Sequence, residues 1–192
     1  SLTAESLIDM KILKIDSLPP CDWIFINSAF AINSIIHLKN GLKSKKIAAF
    51  GQSTAKYLQK NGLKVEFIGE GAPSDVAQSF SSILKSEEIV FFPSSNRSLG
   101  TVQSVLENRN KIVLETYQTL LIDKKVENYD FLVFTSPSNV EAFLLSNKVG
   151  DIKTISIGPS TTKALKNAGF INVLESFQSS ELALADAVFS LI

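Results

Sequence analysis

The chain has 192 residues, a formal net charge of zero at pH 7 and 45% apolar residues. This can fill a core in each of two small domains, while the neutral balance gives no global field to hold nucleic acid or an anionic membrane. The single cysteine, Cys21, and the single histidine, His37, exclude an intrachain disulfide, a CxxC site and a multi-histidine metal cage, and no apolar run approaches the ~20 residues of a membrane helix.

Ser6 to Ile15 alternates roughly and predicts a strand, ended by Leu18-Pro19-Pro20. Trp23 to Ile26 is continuously apolar, as expected of a strand buried on both faces of a parallel sheet. Ile32, Ile35 and Ile36 follow at helical spacing, with Gly41 as the stop. Ile47 to Phe50 predicts a second buried strand. Gly51-Gln52-Ser53-Thr54 then turns into a helix with Ala55 and Leu58 inward and Gly62 as a left-handed cap. Val65 to Ile68 is a third strand, and Ser74 is placed to cap a helix carrying Val76, Phe80, Ile83 and Leu84. Ile89 to Phe92 is a fourth, followed by a Pro93-Ser94-Ser95-Asn96 turn and a helix through Leu99, Val102 and Leu106.

Ile112 to Ile122 reads as a long strand crossing between two lobes. Beyond it come a strand at 131–134, a helix from about Ser138, a strand at 155–157, a helix from about Ser160, a strand at 171–174 and a helix from about Ser180 to the end. This second series repeats the first. Asp22-Trp-Ile-Phe-Ile-Asn-Ser28 matches Asp130-Phe-Leu-Val-Phe-Thr-Ser136 at an offset of 108, and Gly51 with Gly62 matches Gly158 with Gly169 at 107. A repeat of this length is one supersecondary unit used twice, so the fold class is α/β with two similar lobes, parallel sheets and a cleft between them.

In such sheets ligands bind at the carboxyl ends of the strands, against helix N-termini. Those positions hold Asn27-Ser28, Gly51-Gln52-Ser53-Thr54, Ser94-Ser95-Asn96, Ser136-Pro137-Ser138-Asn139, Gly158-Pro159-Ser160-Thr161-Thr162 and Ser179-Ser180. Each alone is an ordinary cap, and Ser138-x-x-Glu141 reads as a capping box. Together on one cleft they would hold an anion without lysine or arginine, which suits an almost arginine-free chain facing a polycarboxylate. GxGxxG, P-loop and GxSxG patterns are absent. His37 reads as a polar helix end, Cys21 as a small apolar filler, and Lys43-Ser44-Lys45-Lys46 as a solvated turn. Tyr117, in Glu115-Thr116-Tyr117-Gln118-Thr119, is the side chain with chemical capacity. Its phenol either faces the cleft and donates to a departing oxygen, or is a buried strand hydroxyl meeting a carbonyl.

The ordered set resembles the uroporphyrinogen-III synthase family: Ser28, then Gly51-Gln-Ser-Thr54-Ala55, Phe92-Pro93, Tyr117-Gln118-Thr119, Phe134-Thr135-Ser136-Pro137-Ser138 and Ile157-Gly158-Pro159-Ser160-Thr161-Thr162. The resemblance covers essentially the whole chain. It implies two flavodoxin-like lobes joined by a two-stranded connector. Residues 13–117 would form the inserted lobe, and 1–12 with 118–192 the second. It also implies a cytoplasmic, cofactor-independent lyase that cyclises hydroxymethylbilane with inversion of ring D and loss of water. No metal, nucleic acid or membrane takes part, and a monomer is expected.

The family's tyrosine maps onto Tyr117, and its second-lobe hydroxyl contacts onto Thr135, Ser136, Ser138 and Ser160 to Thr162. Ser28, Gly51, Ser53, Thr54, Ser94, Asn139 and Gly158 complete the expected substrate-binding set. Two departures stand out. The family's opening strand and helix, near an Arg-Pro pair, has no counterpart before Ser1, so one lobe is expected to lack its first βα unit. Asn27 stands where threonine is usual, and Phe30 is unusually bulky. The competing class is a two-lobed protein that closes on a small anion and does no chemistry.

Overall fold

A strand covered on both faces has no polar position, and Trp23 to Ile26 meets that condition: all four residues are 5% exposed or less. In the computed structural model, which describes residues 4–98, 100–106 and 111–190, this segment is a central strand of a mixed α/β fold with parallel sheets. The chain divides into two units, Met10–Thr119 and Ser1–Asp9 with Leu120–Ile192.

The elements up to the end of the larger unit are β1 (Ile8–Ile12), β2 (Trp23–Ile26), α1 (Ala29–Ile35), a 3-10 turn (Ile36–Leu38), α2 (Lys39–Leu42), β3 (Lys46–Ala49), α3 (Gln52–Lys60), β4 (Phe67–Ile68), α4 (Pro73–Ile83), β5 (Val90–Ser95), α5 (Thr101–Val105) and β6 (Lys111–Leu121), with β1 and β6 each running two residues past its bounds. They build a six-stranded sheet of order β1-β6-β5-β2-β3-β4, in which β2 to β6 run parallel. Leu13 N–H donates to Thr116 O, and Ile122 N–H to Leu7 O, so β1 runs antiparallel to β6.

Successive side chains of a strand point to opposite faces. Ile24 and Ile26 therefore join α1 and α3 in one core, through Ile32, Ile35, Ala55 and Leu58. Trp23 and Phe25 join Val76, Ala77 and Phe80 of α4 and Val102 of α5 in another. Phe80 packs edge-on to Phe25 at 4.8 Å and to Trp23 at 5.4 Å between ring centroids. Each fully buried side chain of this size contributes roughly 1.5–3 kcal/mol.

The smaller unit continues with β7 (Phe131–Phe134), α6 (Pro137–Ser146), β8 (Lys153–Ser156), α7 (Pro159–Asn167), β9 (Val173–Glu175) and α8 (Glu181–Phe189). The order β7-β8-β9 is fully parallel, over a core that includes Leu132, Phe134, Val140, Phe143, Leu165 and Phe170. The repeat is visible in these ranges. β7 is β2 displaced by 108 residues and α7 is α3 displaced by 107. Gly62 and Gly169 both adopt positive φ, +74° and +97°, at the ends of those helices.

Several expected boundaries move. Gly41 lies inside the four-residue α2 rather than ending a helix. Ser74 is not a cap: Pro73 opens α4, and the Asp75 carboxylate accepts from Ala72 N–H at 3.0 Å. Nor does Ser138 cap α6. Ser136 does so, its Oγ accepting from Asn139 N–H, because Pro137 already occupies the first helical position. β5 extends through Pro93, Ser94 and Ser95, which the apolar pattern had assigned to a turn. Val65 falls outside the two-residue β4. Leu99, assigned to a helix from sequence, lies outside the described residues.

The basic cluster is partly structural. Lys46 Nζ bonds Glu88 Oε1 at 2.5 Å and lies 5.2 Å from the centre of the Trp23 ring, while Lys45 Nζ donates to Cys21 O at 2.6 Å. Burial pushes the Cys21 thiol up from its usual range, so it is an inert filler. His37 Nε2 pairs with Ile15 O at 2.8 Å.

Candidate functional site

Parallel strands bring their carboxyl ends to one edge of a sheet, so the polar turns of the larger unit share an edge. Beyond the end of β2, Ser28 caps α1 by accepting from Ala31 N–H. Beyond the end of β3, Gly51 is the residue before α3. Ser95, near the end of β5, pairs in register with Tyr117 of β6. The first turn of α3, Gln52-Ser53-Thr54, has neither a proline nor an acidic residue, so its orphan N–H groups and positive dipole end remain available. Ser53 is exposed and Thr54 buried. Ser94 is buried and accepts from Gln103 Nε2 at 3.1 Å, which commits it to the packing of α5.

Tyr117 reaches this edge through an irregularity. The β5–β6 register pairs Ser94 with Glu115 and Ser95 with Tyr117, leaving Thr116 as an extra residue. A bulge of this kind re-aims the side chains beside it. Both Thr116 and Tyr117 are buried as a result, Thr116 completely. Thr116 Oγ1 bonds Ser34 Oγ at 2.7 Å, and Ser34 Oγ donates to Ala31 O, so a sealed hydroxyl pair ties the bulge to α1. Asn96 Oδ1 fixes the far side by accepting from Thr119 N–H at 3.0 Å.

The Tyr117 ring packs in the α1–α3 core and is 7% exposed. Its hydroxyl has no hydrogen-bond partner among the described residues. No sealed side-chain oxygen or nitrogen among them lacks one, so the hydroxyl lies at the accessible end of the ring. The ring is buried, as one of the two sequence readings has it, and no carbonyl among the described residues accepts from its hydroxyl. Phe30, on α1, stands beside it with ring centroids 6.4 Å apart. Thr116→Val is expected to lower stability by about 1 kcal/mol, the usual worth of one hydrogen bond, and to lower turnover as the bulge relaxes. Urea unfolding beside steady-state kinetics checks both, and unchanged kinetics in a folded variant would show that Tyr117 is held by other contacts.

The smaller sheet presents Thr135, Ser136, Ser138, Asn139, Gly158, Ser160, Thr161 and Thr162 at its own carboxyl edge, and several are already engaged. Asn139 Oδ1 accepts from Leu7 N–H at 3.0 Å and its Nδ2 donates to Ser136 Oγ. Thr161 is 1% exposed, on the inner face of α7. Thr162 Oγ1 meets Ser156 Oγ and Glu175 Oε2, each at 2.5 Å. A Cβ on Gly158 would meet Ser179 Oγ, so any larger residue there would need that hydroxyl to turn away. Pro159 removes one donor from the start of α7, and Glu175 already brings a carboxylate there. The groups still open are the hydroxyls of Thr135 and Ser160, both exposed, with Ser138 half-buried.

Among the described residues no three His, Cys, Asp or Glu side chains converge to hold a metal ion, and no helix is long and apolar enough to cross a membrane. The sequence reading passed over Ser34, Thr116 and the contact of Phe30. No local pattern marks a bulge, and the bulk of Phe30, visible in the sequence, does not by itself reveal its contact with Tyr117.

These features define a parallel α/β protein whose polar turns and one open phenol gather at sheet carboxyl edges. The family model described as uroporphyrinogen-III synthase HemD matches residues 6–186, and the chain belongs to the uroporphyrinogen-III synthase family. The fold is also that of solved structures at low identity. Uroporphyrinogen-III synthetase from Helicobacter pylori is 21% identical with a TM-score of 0.77, over 97% of this chain and 91% of that one. A mutant uroporphyrinogen-III synthase from Thermus thermophilus is 14% identical with a TM-score of 0.61, over 96% and 85%. The wild-type Thermus thermophilus enzyme is 16% identical with a TM-score of 0.53, over 89% and 76%.

Proposed function

We propose that this chain performs the family reaction as a cofactor-independent lyase: it cyclises hydroxymethylbilane with inversion of ring D and loss of water, and Tyr117 is its acid. Family membership over residues 6–186 carries the reading. The chemistry asks for little. The electron-rich pyrrole expels its hydroxyl group, the C–O bond breaks with both electrons on oxygen, and the Tyr117 phenol supplies the proton that completes water. The methylene carbon of the azafulvenium left behind is attacked by the substituted carbon of ring D, and the new C–C bond makes the spiro intermediate. Fragmentation and reclosure of the spiro intermediate give the inverted isomer, and the proton lost as the last ring regains aromaticity returns to the phenolate. Holding a flexible chain in the reactive geometry is the larger task, and can supply ~7–11 kcal/mol.

Carboxylate binding falls first to the start of α3, where the donors of Gln52, Ser53 and Thr54 meet the dipole without a competing acid, and to the Ser28 turn. Thr135, Ser138 and Ser160 offer further hydroxyls. The enzyme acts as a cytoplasmic monomer in this reading.

Incubating the protein with hydroxymethylbilane and separating the products tests the reading: the III isomer should exceed the I isomer formed spontaneously. The same rate is expected after exhaustive chelation and dialysis. A spontaneous product ratio would favour a protein that binds a small anion without chemistry, and activity restored only by a particular metal would end the cofactor-independent mechanism.

A further inference from the structure

Phe30 is a large apolar side chain left 43% exposed at the first turn of α1, two residues past the Ser28 cap. Scattered exposed aromatics are ordinary on protein surfaces, but the neighbour of this one is not. Its ring lies 6.4 Å from that of Tyr117, inclined by 51°, and Tyr117 is the buried phenol whose hydroxyl has no partner among the described residues. One part of Phe30 therefore lies against the tyrosine ring while the rest of its side chain stays exposed. Ala29 and Ala31, its neighbours in sequence, are too small to compete for that space.

We propose that the open face of Phe30 stacks on a pyrrole ring of the linear tetrapyrrole and holds it beside the Tyr117 hydroxyl. The proposal rests on the reading in the preceding section and adds a positioning contact to it. Offset and inclined ring pairs gain from the aromatic quadrupole beyond the area they bury. The gain grows when the partner becomes cationic, because the negative face of the phenyl ring attracts it. A pyrrole that has lost its hydroxyl group is such a cation until closure. The contact is thus stronger after the C–O bond breaks than before, so it stabilises the reactive species as well as binding the ground state. It also restrains the ring whose orientation separates isomer III from isomer I.

The test compares Phe30→Leu with Phe30→Tyr. Leucine keeps an apolar cover over Tyr117 and removes the aromatic face, whereas tyrosine keeps the face. Phe30→Leu should raise KM roughly 3- to 10-fold, lower kcat and increase the share of isomer I, while Phe30→Tyr stays near the wild type in all three. Unfolding midpoints should be alike, since the cover is retained. Phe30→Leu kinetics and isomer ratio indistinguishable from wild type would overturn the proposal. So would equal losses in both variants accompanied by lowered stability, the mark of a packing role. A wild-type protein that gives only the spontaneous isomer ratio would instead remove the reading beneath it.

Discussion

Replacement of Tyr117 by phenylalanine is expected to lower turnover about 10- to 100-fold, the low end of what a positioned acid contributes, with the fold and KM little changed. The ring is 7% exposed and packs with the α1–α3 core, so the packing survives loss of the oxygen. The hydroxyl meets no protein group among the described residues, so its removal leaves no donor or acceptor unpaired. A fall in kcat would therefore report chemistry rather than structure. The reaction needs only modest help because the pyrrole itself expels the leaving group, which is why the effect is one to two orders of magnitude rather than four. Steady-state kinetics with isomer analysis measures it, and an unchanged kcat in the folded variant would take Tyr117 out of the mechanism.

Glu88 should have the largest effect on stability among the charged residues described. It is 8% exposed and accepts from Lys46 Nζ at 2.5 Å, Lys85 N–H at 3.0 Å and Trp23 Nε1 at 3.1 Å. The Lys46 bond foremost, then the Lys85 N–H, lowers its pKa to about 2. A carboxylate whose folded pKa is lowered stabilises the protein above its unfolded value, 4.5, and loses that contribution as pH falls towards about 2. Glu88→Gln should cost about 1–2 kcal/mol at neutral pH, because the solvent around the 41% exposed Lys46 side chain screens the pair, and should flatten the pH dependence of stability within that window. Glu88→Ala should cost at least as much, because the indole N–H of Trp23, itself 5% exposed, is left without an acceptor. Urea midpoints at pH 7 and between pH 4.5 and 2 measure both effects. An equally steep loss of stability on acidification in Glu88→Gln would place the titrating group elsewhere.

Much of the architecture was legible because it follows from local rules. The strand at Trp23–Ile26 and its counterpart at Phe131–Phe134 were read to the residue, since an unbroken apolar run of four between polar turns has few other uses. The helices after Gly51 and Gly158 and the left-handed glycines that follow them are fixed by backbone preference and by spacing within one helix. The repeat states these elements twice, at offsets of 108 and 107 residues. Boundaries failed where two local signals competed. Pro137 displaced Ser138 as the cap of α6, and Asp75 made Ser74 unnecessary at the start of α4.

The site was legible as an ordered set of hydroxyls and one tyrosine, but not as an arrangement. Sequence by itself determined the parallel α/β class and the polar carboxyl edges, and it set out Tyr117 as the expected phenol. Tertiary structure decided which of those groups remain open. A bulge at Thr116, held by Ser34 from 82 positions away, turns Tyr117 into the α1 side of its sheet. Phe30 is brought against it across a similar stretch of chain. Thr161, read as a ligand contact, is sealed on the inner face of α7, and Thr162 is engaged by Glu175, 13 residues on. Hydrophobic period and capping preference act within a few residues, so they place elements. Bulges, cross-element hydroxyl pairs and ring contacts depend on which elements come to lie side by side, and that is set only when the chain has packed.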